Sequence, residues 1–158
     1  MVETMRRENH KDLYNATEAT GATLAFDATG GGALASDILA TMERVLSKDA
    51  KGLNTYGSMQ LKQVYLYGGL DLSPTVLKRS YGMCWSVAGW LLPSFLARQK
   101  PEKIGQLQQR VANEITTTFA SNFTREISLA EVLSPTMIQG YLAKKTGEKY
   151  LVNPNKDS

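Results

Sequence analysis

Short apolar runs that end in glycine alternate with stretches of helical periodicity along most of the chain. Thr23–Ala28 is an apolar run followed closely by the glycines 30–32, and Gln63–Gly69 is a second run that ends in two glycines. Apolar runs of this length, bounded by turn residues, predict buried strands. The longer apolar run Met83–Leu92 predicts a third strand.

Between these runs, apolar residues recur every three or four positions and charged residues fill the gaps, which predicts amphipathic helices. One helix has the apolar positions Leu34, Ile38, Met42 and Val45. Pro101 begins another, with the apolar positions Ile104, Leu107, Val111, Ile115 and Phe119. Leu72–Ser80 predicts a turn and a short helix, because Ser73 can cap a helix and Pro74 is favoured at its first position.

The two ends of the chain carry shorter elements. The polar first 20 residues predict a helix around Asp12–Ala19. Ser128 and Glu131 have the spacing of a capping box, which precedes a helix. The remaining predicted elements are a helix that begins at Ser134-Pro135 and ends at Gly147, and a final short strand within Glu148–Pro154.

Strands that alternate with helices predict an α/β fold with a parallel sheet and helices on both faces. We divide the chain into a polar amino-terminal segment or helix (1–20), a sheet domain (21–122) and a carboxyl-terminal extension of helices and a short strand (123–158). Ligands of parallel sheets bind at the carboxyl ends of the strands. Two predicted strands end in glycines there, which lets a ligand approach the backbone closely.

Composition narrows the possible functions. The chain has 158 residues, about one domain, and a net charge of only +3. Its basic residues are scattered without interleaved aromatics, so we expect no nucleic-acid binding. One cysteine, Cys84, and one histidine, His10, are too few for a zinc site, and we expect no bound metal. We interpret Cys84 as a small buried apolar residue and His10 as exposed.

The sequence shows no signal peptide, because its first 20 residues lack an apolar segment. Between Arg79 and Arg98 lie 18 uncharged residues, near the lower limit for a membrane span. Pro93 interrupts this stretch, and the buried strands of a parallel sheet are equally apolar. We therefore expect a cytoplasmic protein without a membrane span.

The segment Gly30–Ala35 fits the dinucleotide fingerprint G-x-G-x-x-A. A true fingerprint also needs an acidic residue about 20 residues further on, at the end of the next strand. Asp49 has about the right spacing but lies in a polar loop, whereas Asp71 follows a strand but lies too far along. The spacing and setting of these acidic residues therefore disfavour the glycines at 30–32 as the first, pyrophosphate-binding turn of a nucleotide-binding domain.

Five segments resemble, in the same order, the carboxyl-terminal half of the medium-chain dehydrogenase/reductases. They are Ala19–Glu43, Tyr56–Thr75, Tyr81–Leu92, Glu126–Leu133 and Thr146–Pro154. The branch they resemble most contains the zinc-containing alcohol dehydrogenases and the NADPH:quinone oxidoreductases. In that family, the glycine turn after Phe26-Asp27-Ala28 follows the fourth strand of the nucleotide domain. The resemblance therefore implies the second half of a Rossmann-like domain, with its fourth, fifth and sixth strands.

The resemblance implies a function and a set of cofactor contacts. The family transfers hydride between a nicotinamide cofactor and a small carbonyl, alcohol or quinone, and this chain would be a zinc-independent, NADPH-dependent member. Its backbone contacts would be Ala28, Thr29 and Gly30 at the ribose, Gly68, Gly69 and Leu70 at the nicotinamide, and Ala88, Gly89 and Trp90 at the carboxamide. No catalytic residue is assigned. The family's catalytic domain and glycine fingerprint have no counterpart here, so the chain would form half a site and would be incomplete as a catalyst alone.

Two other interpretations of the sequence remain. Ser128, Tyr141 and Lys145 fit the Ser…Tyr-x-x-x-Lys pattern of short-chain dehydrogenases. A non-catalytic assembly module is the main alternative, because the family pairs its sixth strand across a dimer. We therefore expect a homo-oligomer formed through the edge strand 83–92, a second open edge on the other side of the sheet, and a missing amino-terminal half that could be a separate chain.

Overall fold

Parallel strands and helices alternate in the first part of the chain. The structure is a computed structural model that describes residues 2–52, 55–143 and 149–156, with side chains from His10 onward. The chain divides into two compact units, Met1–Ala97 and Arg98–Ser158. The domain boundaries after residues 20 and 122 stay predictions.

The first unit contains three helices and five strands among its described residues. In chain order they are α1 Val2–Thr20, β1 Leu24–Asp27, β2 Gly30–Gly32, α2 Leu34–Leu46, β3 Lys62–Leu66, β4 Asp71–Thr75, β5 Trp85–Gly89 and α3 Leu92–Leu96. Strands β1, β3 and β5 form a parallel sheet in that order. The α/β class with a parallel sheet is thus confirmed, and α1 extends well before the predicted Asp12–Ala19.

The core of this unit lies between α2 and one face of the sheet. Its buried apolar residues are Ala35, Ile38, Leu39 and Met42 of α2, Val64 of β3, and Tyr81. Because side chains alternate along a strand, Ala25 packs on this core whereas its neighbours Leu24 and Phe26 are about half exposed. The prediction that β1 is a buried strand was therefore wrong for one of its faces, since Leu24 and Phe26 stay about half exposed.

The predicted short helix over Leu72–Ser80 was also wrong. Residues Asp71–Thr75 form β4, which pairs in parallel with the glycine strand β2. The Asp71 side chain accepts a hydrogen bond from the Ser73 N–H, and the Thr75 hydroxyl donates to the Gly30 carbonyl at 2.6 Å. Pairing with β2 satisfies the backbone here, and Pro74 is tolerated because β4 lies at the edge of its two-stranded sheet.

A buried ion pair closes the amino-terminal end of the sheet. Lys62 of β3 is 0% exposed, and its ammonium lies 2.7 Å from the Glu43 carboxylate of α2. Ser58 donates to Glu43 from both its N–H and its hydroxyl, and Ser47 donates a further hydrogen bond. Burial alone would raise the pKa of Glu43, but the hydrogen bonds from Lys62, Ser47 and Ser58 outweigh it and lower the pKa to about 2.

The second unit contains α4 Pro101–Asn113, β6 Arg125–Ser128, a 3₁₀ turn Glu131–Leu133, α5 Pro135–Leu142 and β7 Tyr150–Asn153. Strands β6 and β7 pair in parallel. The capping box is confirmed, because the Ser128 N–H donates to Glu131 and the Glu131 N–H donates to the Ser128 hydroxyl.

One helix of this unit ends earlier than predicted, and the predicted end of another cannot be compared with the structure. Helix α4 ends at Asn113, so the predicted apolar positions Ile115 and Phe119 lie beyond it in turns and are exposed. The predicted end of the last helix at Gly147 lies outside the described residues. None of the helices in the described part of the chain is long and apolar enough to cross a membrane.

The ion pair predicts an acid-sensitive fold. The pKa of Glu43 in the folded chain lies below its ordinary value of 4.5, so its stabilisation is complete above that pH and is lost as the pH falls toward about 2. Glu43→Gln leaves Lys62 buried without its counter-charge, and we expect the free energy of unfolding at pH 7 to fall by about 3–5 kcal/mol in urea titrations.

The matched control is Glu18→Gln, which removes an exposed partner of Lys48 at 3.0 Å. This substitution should change the stability little, because exposed ion pairs contribute weakly. Equal stabilities for the two variants would contradict the structural role assigned to Glu43.

Candidate functional site

Three chain segments meet at the carboxyl edge of the β1–β3–β5 sheet. They are Ala28–Gly30 after β1, Gly68–Leu70 after β3, and Ala88–Trp90 at the end of β5. The register pairs Asp27 with Leu66 and Leu66 with Gly89, so the three strands end level with one another. All the residues predicted to contact a cofactor therefore lie at one edge of the sheet, and their contact with a cofactor stays a prediction.

Some glycines at this edge are required by the packing of the chain on itself. A Cβ on Gly68 would overlap the Ala28 carbonyl, and a Cβ on Gly30 would lie 2.5 Å from the Gly68 oxygen. A Cβ on Gly31 would lie 2.6 Å from the Ser73 oxygen of β4. Only glycine allows such backbone-to-backbone contact. These three positions are explained without any ligand.

Gly69 and Gly89 are different. A Cβ on Gly89 would meet no described atom within 4 Å, and a Cβ on Gly69 would meet only the Leu72 side chain, at 4.0 Å. Neither glycine has a positive φ. Neither packing nor backbone conformation requires glycine at these two positions, and both border open space at the carboxyl edge.

Asp27 fixes the turn after β1. Its side chain is almost fully buried, and its Oδ1 accepts hydrogen bonds from the Thr29 N–H at 2.7 Å and the Gly30 N–H at 3.2 Å. This is an Asx-turn, in which the side chain closes the loop that the backbone would otherwise close. Oδ2 of Asp27 is buried and has no hydrogen-bond partner among the described residues.

Thr29 is the polar side chain that remains available in this turn. Its N–H is used by Asp27, and its carbonyl accepts a hydrogen bond from the Asp71 N–H at 3.0 Å. Its hydroxyl has no partner in the described part of the chain. The turn therefore presents one unused hydroxyl, held on a backbone that the Asp27 carboxylate has fixed.

An aromatic cluster lies beside the carboxyl edge. It consists of Phe26, Tyr65, Tyr67, Trp90 and Phe95. The Phe26 ring lies 5.4 Å from the Tyr65 ring and meets the Trp90 ring edge-to-face at 5.5 Å. Because Phe26 alternates with the core-facing Ala25, this cluster lies on the sheet face opposite α2. Trp90, predicted as a carboxamide contact, packs against the Phe26 and Phe95 rings.

Asp27 and the members of the aromatic cluster other than Trp90 are not among the predicted site residues. The signal for Asp27 is an aspartate at the end of an apolar run, two and three residues before N–H groups that need an acceptor. The signal for the cluster is the spacing of Tyr65 and Tyr67, which places both rings on one face of a strand. Both signals are local, but neither identifies a ligand.

Two of the three residues that fit the short-chain dehydrogenase pattern have structural roles instead. The Ser128 hydroxyl accepts the Glu131 N–H as a cap, and the Tyr141 ring packs edge-to-face on Tyr150 at 5.6 Å. Lys145 lies outside the described residues. Each of the first two side chains therefore has a structural role in the second unit.

Metal-binding and soft nucleophilic groups do not gather at the carboxyl edge. Within the described ranges, no group of three or more His, Cys, Asp or Glu side chains could hold a metal ion. Cys84 is partly exposed rather than fully buried. His10 is exposed, as predicted, and its Nε2 lies 3.8 Å from the Asp37 carboxylate.

Comparison with known proteins shows a structural likeness but no match to a family model. No protein-family model matches the chain, and no curated protein matches it. Among solved structures, the chain is similar to a Mesorhizobium loti protein provisionally assigned as an NADPH:quinone reductase, with a TM-score of 0.58 and 20% identity. The match covers 92% of this chain and 37% of that protein. It shows a partial Rossmann-like fold, in a chain that spans little more than a third of its neighbour's length.

Alanine at two glycines of the carboxyl edge should affect stability to different extents. Gly68→Ala forces a Cβ into the Ala28 carbonyl, and we expect a loss of about 1–3 kcal/mol in the free energy of unfolding. Gly89→Ala adds a methyl group in open space, and the stability should stay within about 0.5 kcal/mol of the wild type. Thermal or urea denaturation measures both. A Gly89→Ala variant as unstable as Gly68→Ala would contradict the assigned geometry.

Proposed function

We propose that the chain is part of an NADPH-dependent oxidoreductase related to the medium-chain dehydrogenase/reductases, and that its carboxyl edge binds the nicotinamide end of the cofactor. The observation that carries the proposal is the open space bordered by Gly69 and Gly89 at the edge where parallel sheets bind ligands. The fold likeness to the Mesorhizobium loti protein supports it. The choice of NADPH over NADH rests on the family resemblance.

The proposal gives each turn a part of the cofactor. Ala28–Gly30 would contact the ribose, and the Thr29 hydroxyl is the group free to bond a ribose hydroxyl. Gly68–Leu70 would approach the nicotinamide ring, and Ala88–Trp90 its carboxamide. In this assignment the Asp27 carboxylate is a positioning group, because it holds the Thr29 and Gly30 N–H groups in place.

The described turns suit the nicotinamide end rather than the phosphates. Residues 28–33, 67–75 and 88–92 contain no lysine or arginine that could bind a 2′-phosphate. The match spans 37% of the Mesorhizobium loti protein, so the proposal assigns the phosphate contacts and the substrate pocket to residues outside this sequence. Those residues could belong to a separate chain.

The bound nicotinamide would supply the hydride, and the protein would supply position and exclusion of water. The chain's own contribution is a backbone surface at the open glycines and the apolar aromatic cluster beside it. Phe26 and Tyr67 are about half exposed, so they present apolar surface that would keep water from a bound ring. The reaction would be a zinc-independent reduction of a small carbonyl or quinone, with no general acid assigned in this chain.

Calorimetric titration with NADPH, with NADH as the comparison, tests this proposal. We expect the wild type to bind NADPH with a Kd of about 100 μM or tighter. Gly89→Ala should weaken binding about tenfold or more, because its methyl group would occupy the space of the ligand, while the fold stays intact.

The control is Gly105→Ala on α4, where a Cβ also meets no described atom within 4 Å. It should bind NADPH like the wild type. The proposal fails if the wild type shows no binding, or if the Gly89→Ala variant binds NADPH as tightly as the Gly105→Ala control.

A second candidate function is a non-catalytic assembly module, and the edge of the sheet favours it. No strand in the described part of the chain pairs with the outer edge of β5. Met83 and Leu91, at the two ends of the predicted edge segment, are 72% and 61% exposed. An unpaired apolar edge associates unless something covers it, so this candidate commits to a homodimer through residues 83–92.

Size-exclusion chromatography with light scattering at about 10 μM tests the assembly candidate, since association depends on concentration. We expect the mass of two chains for the wild type and of one chain for the double variant Met83→Lys, Leu91→Lys. Leu72→Lys is the control, because Leu72 is 91% exposed on β4, away from this edge. A wild type that has the mass of one chain would overturn this candidate.

A further inference from the structure

A small pocket lies on the outer surface of the first unit, where α1 and α2 pack together. It has a volume of about 290 Å³ and is lined by His10, Lys11, Tyr14 and Arg44. The first three residues share one face of α1, and Arg44 comes from α2. The pocket lies on the two helices and not on the carboxyl-edge turns, so it is independent of the proposed cofactor site.

No carboxylate among the side chains described from His10 onward pairs with the cationic groups of this pocket, Lys11 and Arg44. Lys11 and Arg44 form no hydrogen bond or ion pair with any described residue. Two carboxylates of α1 and α2 are engaged by other cations, because Glu18 pairs with Lys48 at 3.0 Å and Asp37 pairs with Lys78 at 3.2 Å. Two cationic side chains therefore border the pocket, and neither has a hydrogen-bond partner among the described residues.

Arg44 is also held in position. Its guanidinium carbon lies 4.9 Å from the centre of the Tyr14 ring, in a cation–π contact. Stacking on a ring leaves the N–H groups at the rim of the guanidinium free to bond an oxyanion in two places at once. The Tyr14 hydroxyl is directed elsewhere, since it donates to Glu18 at 3.3 Å.

We infer that this pocket is a binding site for a phosphate group. A dianion matches the two permanent charges of Lys11 and Arg44, and a phosphate accepts the paired N–H donors of a guanidinium. The volume admits a phosphate with a few further atoms, which fits a small phosphate monoester as well as the free ion. His10 lies at the rim and adds a hydrogen-bond donor.

The test is an NMR titration of the ¹⁵N-labelled chain with inorganic phosphate in about 100 mM NaCl, where screening removes weak surface attraction. We expect saturable shifts of the Arg44 Nε–H signal and of the amides of residues 10–14, with a Kd of about 1 mM or tighter. The indole N–H signals of Trp85 and Trp90 on the sheet should not move. A parallel titration with glycerol 3-phosphate shows whether an ester binds more tightly than the free ion.

Lys11→Gln and Arg44→Gln should each weaken phosphate binding about tenfold. Lys103→Gln is the control, because Lys103 is an exposed cation on α4 in the second unit. The inference is overturned if the shifts do not saturate, or if the Lys11→Gln and Arg44→Gln variants bind phosphate like the control. NADPH binding at the carboxyl edge can fail without affecting either result.

Discussion

The contact between the Ala28 carbonyl and Gly68 determines the geometry of the carboxyl edge. At this point the turn after β1 packs directly against the turn after β3, with no side chain between them. The adjacent hydrogen bond from the Tyr67 N–H to the Asp27 carbonyl, at 3.0 Å, holds the two strand ends together. A larger residue at Gly68 would separate the turns, and the aligned edge on which the functional proposal rests would be lost.

The two ends of the sheet are stabilised by different means. At the amino-terminal end, the Glu43–Lys62 pair and its serine donors satisfy the charges of both partners within the fold. At the carboxyl end, backbone contacts hold the turns after β1 and β3 together. Gly69 and Gly89 border open space there, and the Thr29 hydroxyl has no partner among the described residues. Function is therefore expected at the end where the chain leaves groups unsatisfied.

Sequence patterns predicted the elements that depend on local periodicity. Strands β1, β3 and β5 and helix α2 appear where the apolar runs and the helical spacing place them. The helix predicted from Ser73-Pro74 failed because long-range pairing with the glycine strand β2 outweighs a local capping signal. Ile115 and Phe119 continue the apolar spacing of α4, but the helix ends before them, because spacing alone does not specify where backbone hydrogen bonding stops.

The candidate site was predictable in position but not in detail. The family resemblance implied the nine residues, and parallel topology with terminal glycines predicted the edge where ligands bind; the structure places the nine residues at that edge. Sequence could not separate Gly68, which the fold requires, from Gly89, which it does not, because that difference depends on atoms brought close only by folding. The aromatic cluster was not recognised as a unit for the same reason, since its rings come from β1, from β3 and the residue after it, from the residue after β5, and from α3.

The most direct test of the central claim is an NMR measurement of contacts between bound NADPH and the labelled chain. The account predicts nuclear Overhauser effects from the nicotinamide ring protons to the α-protons of Gly69 and Gly89. Contacts from these protons to other parts of the chain, with none to either glycine, would contradict the assignment of the carboxyl edge as the nicotinamide site.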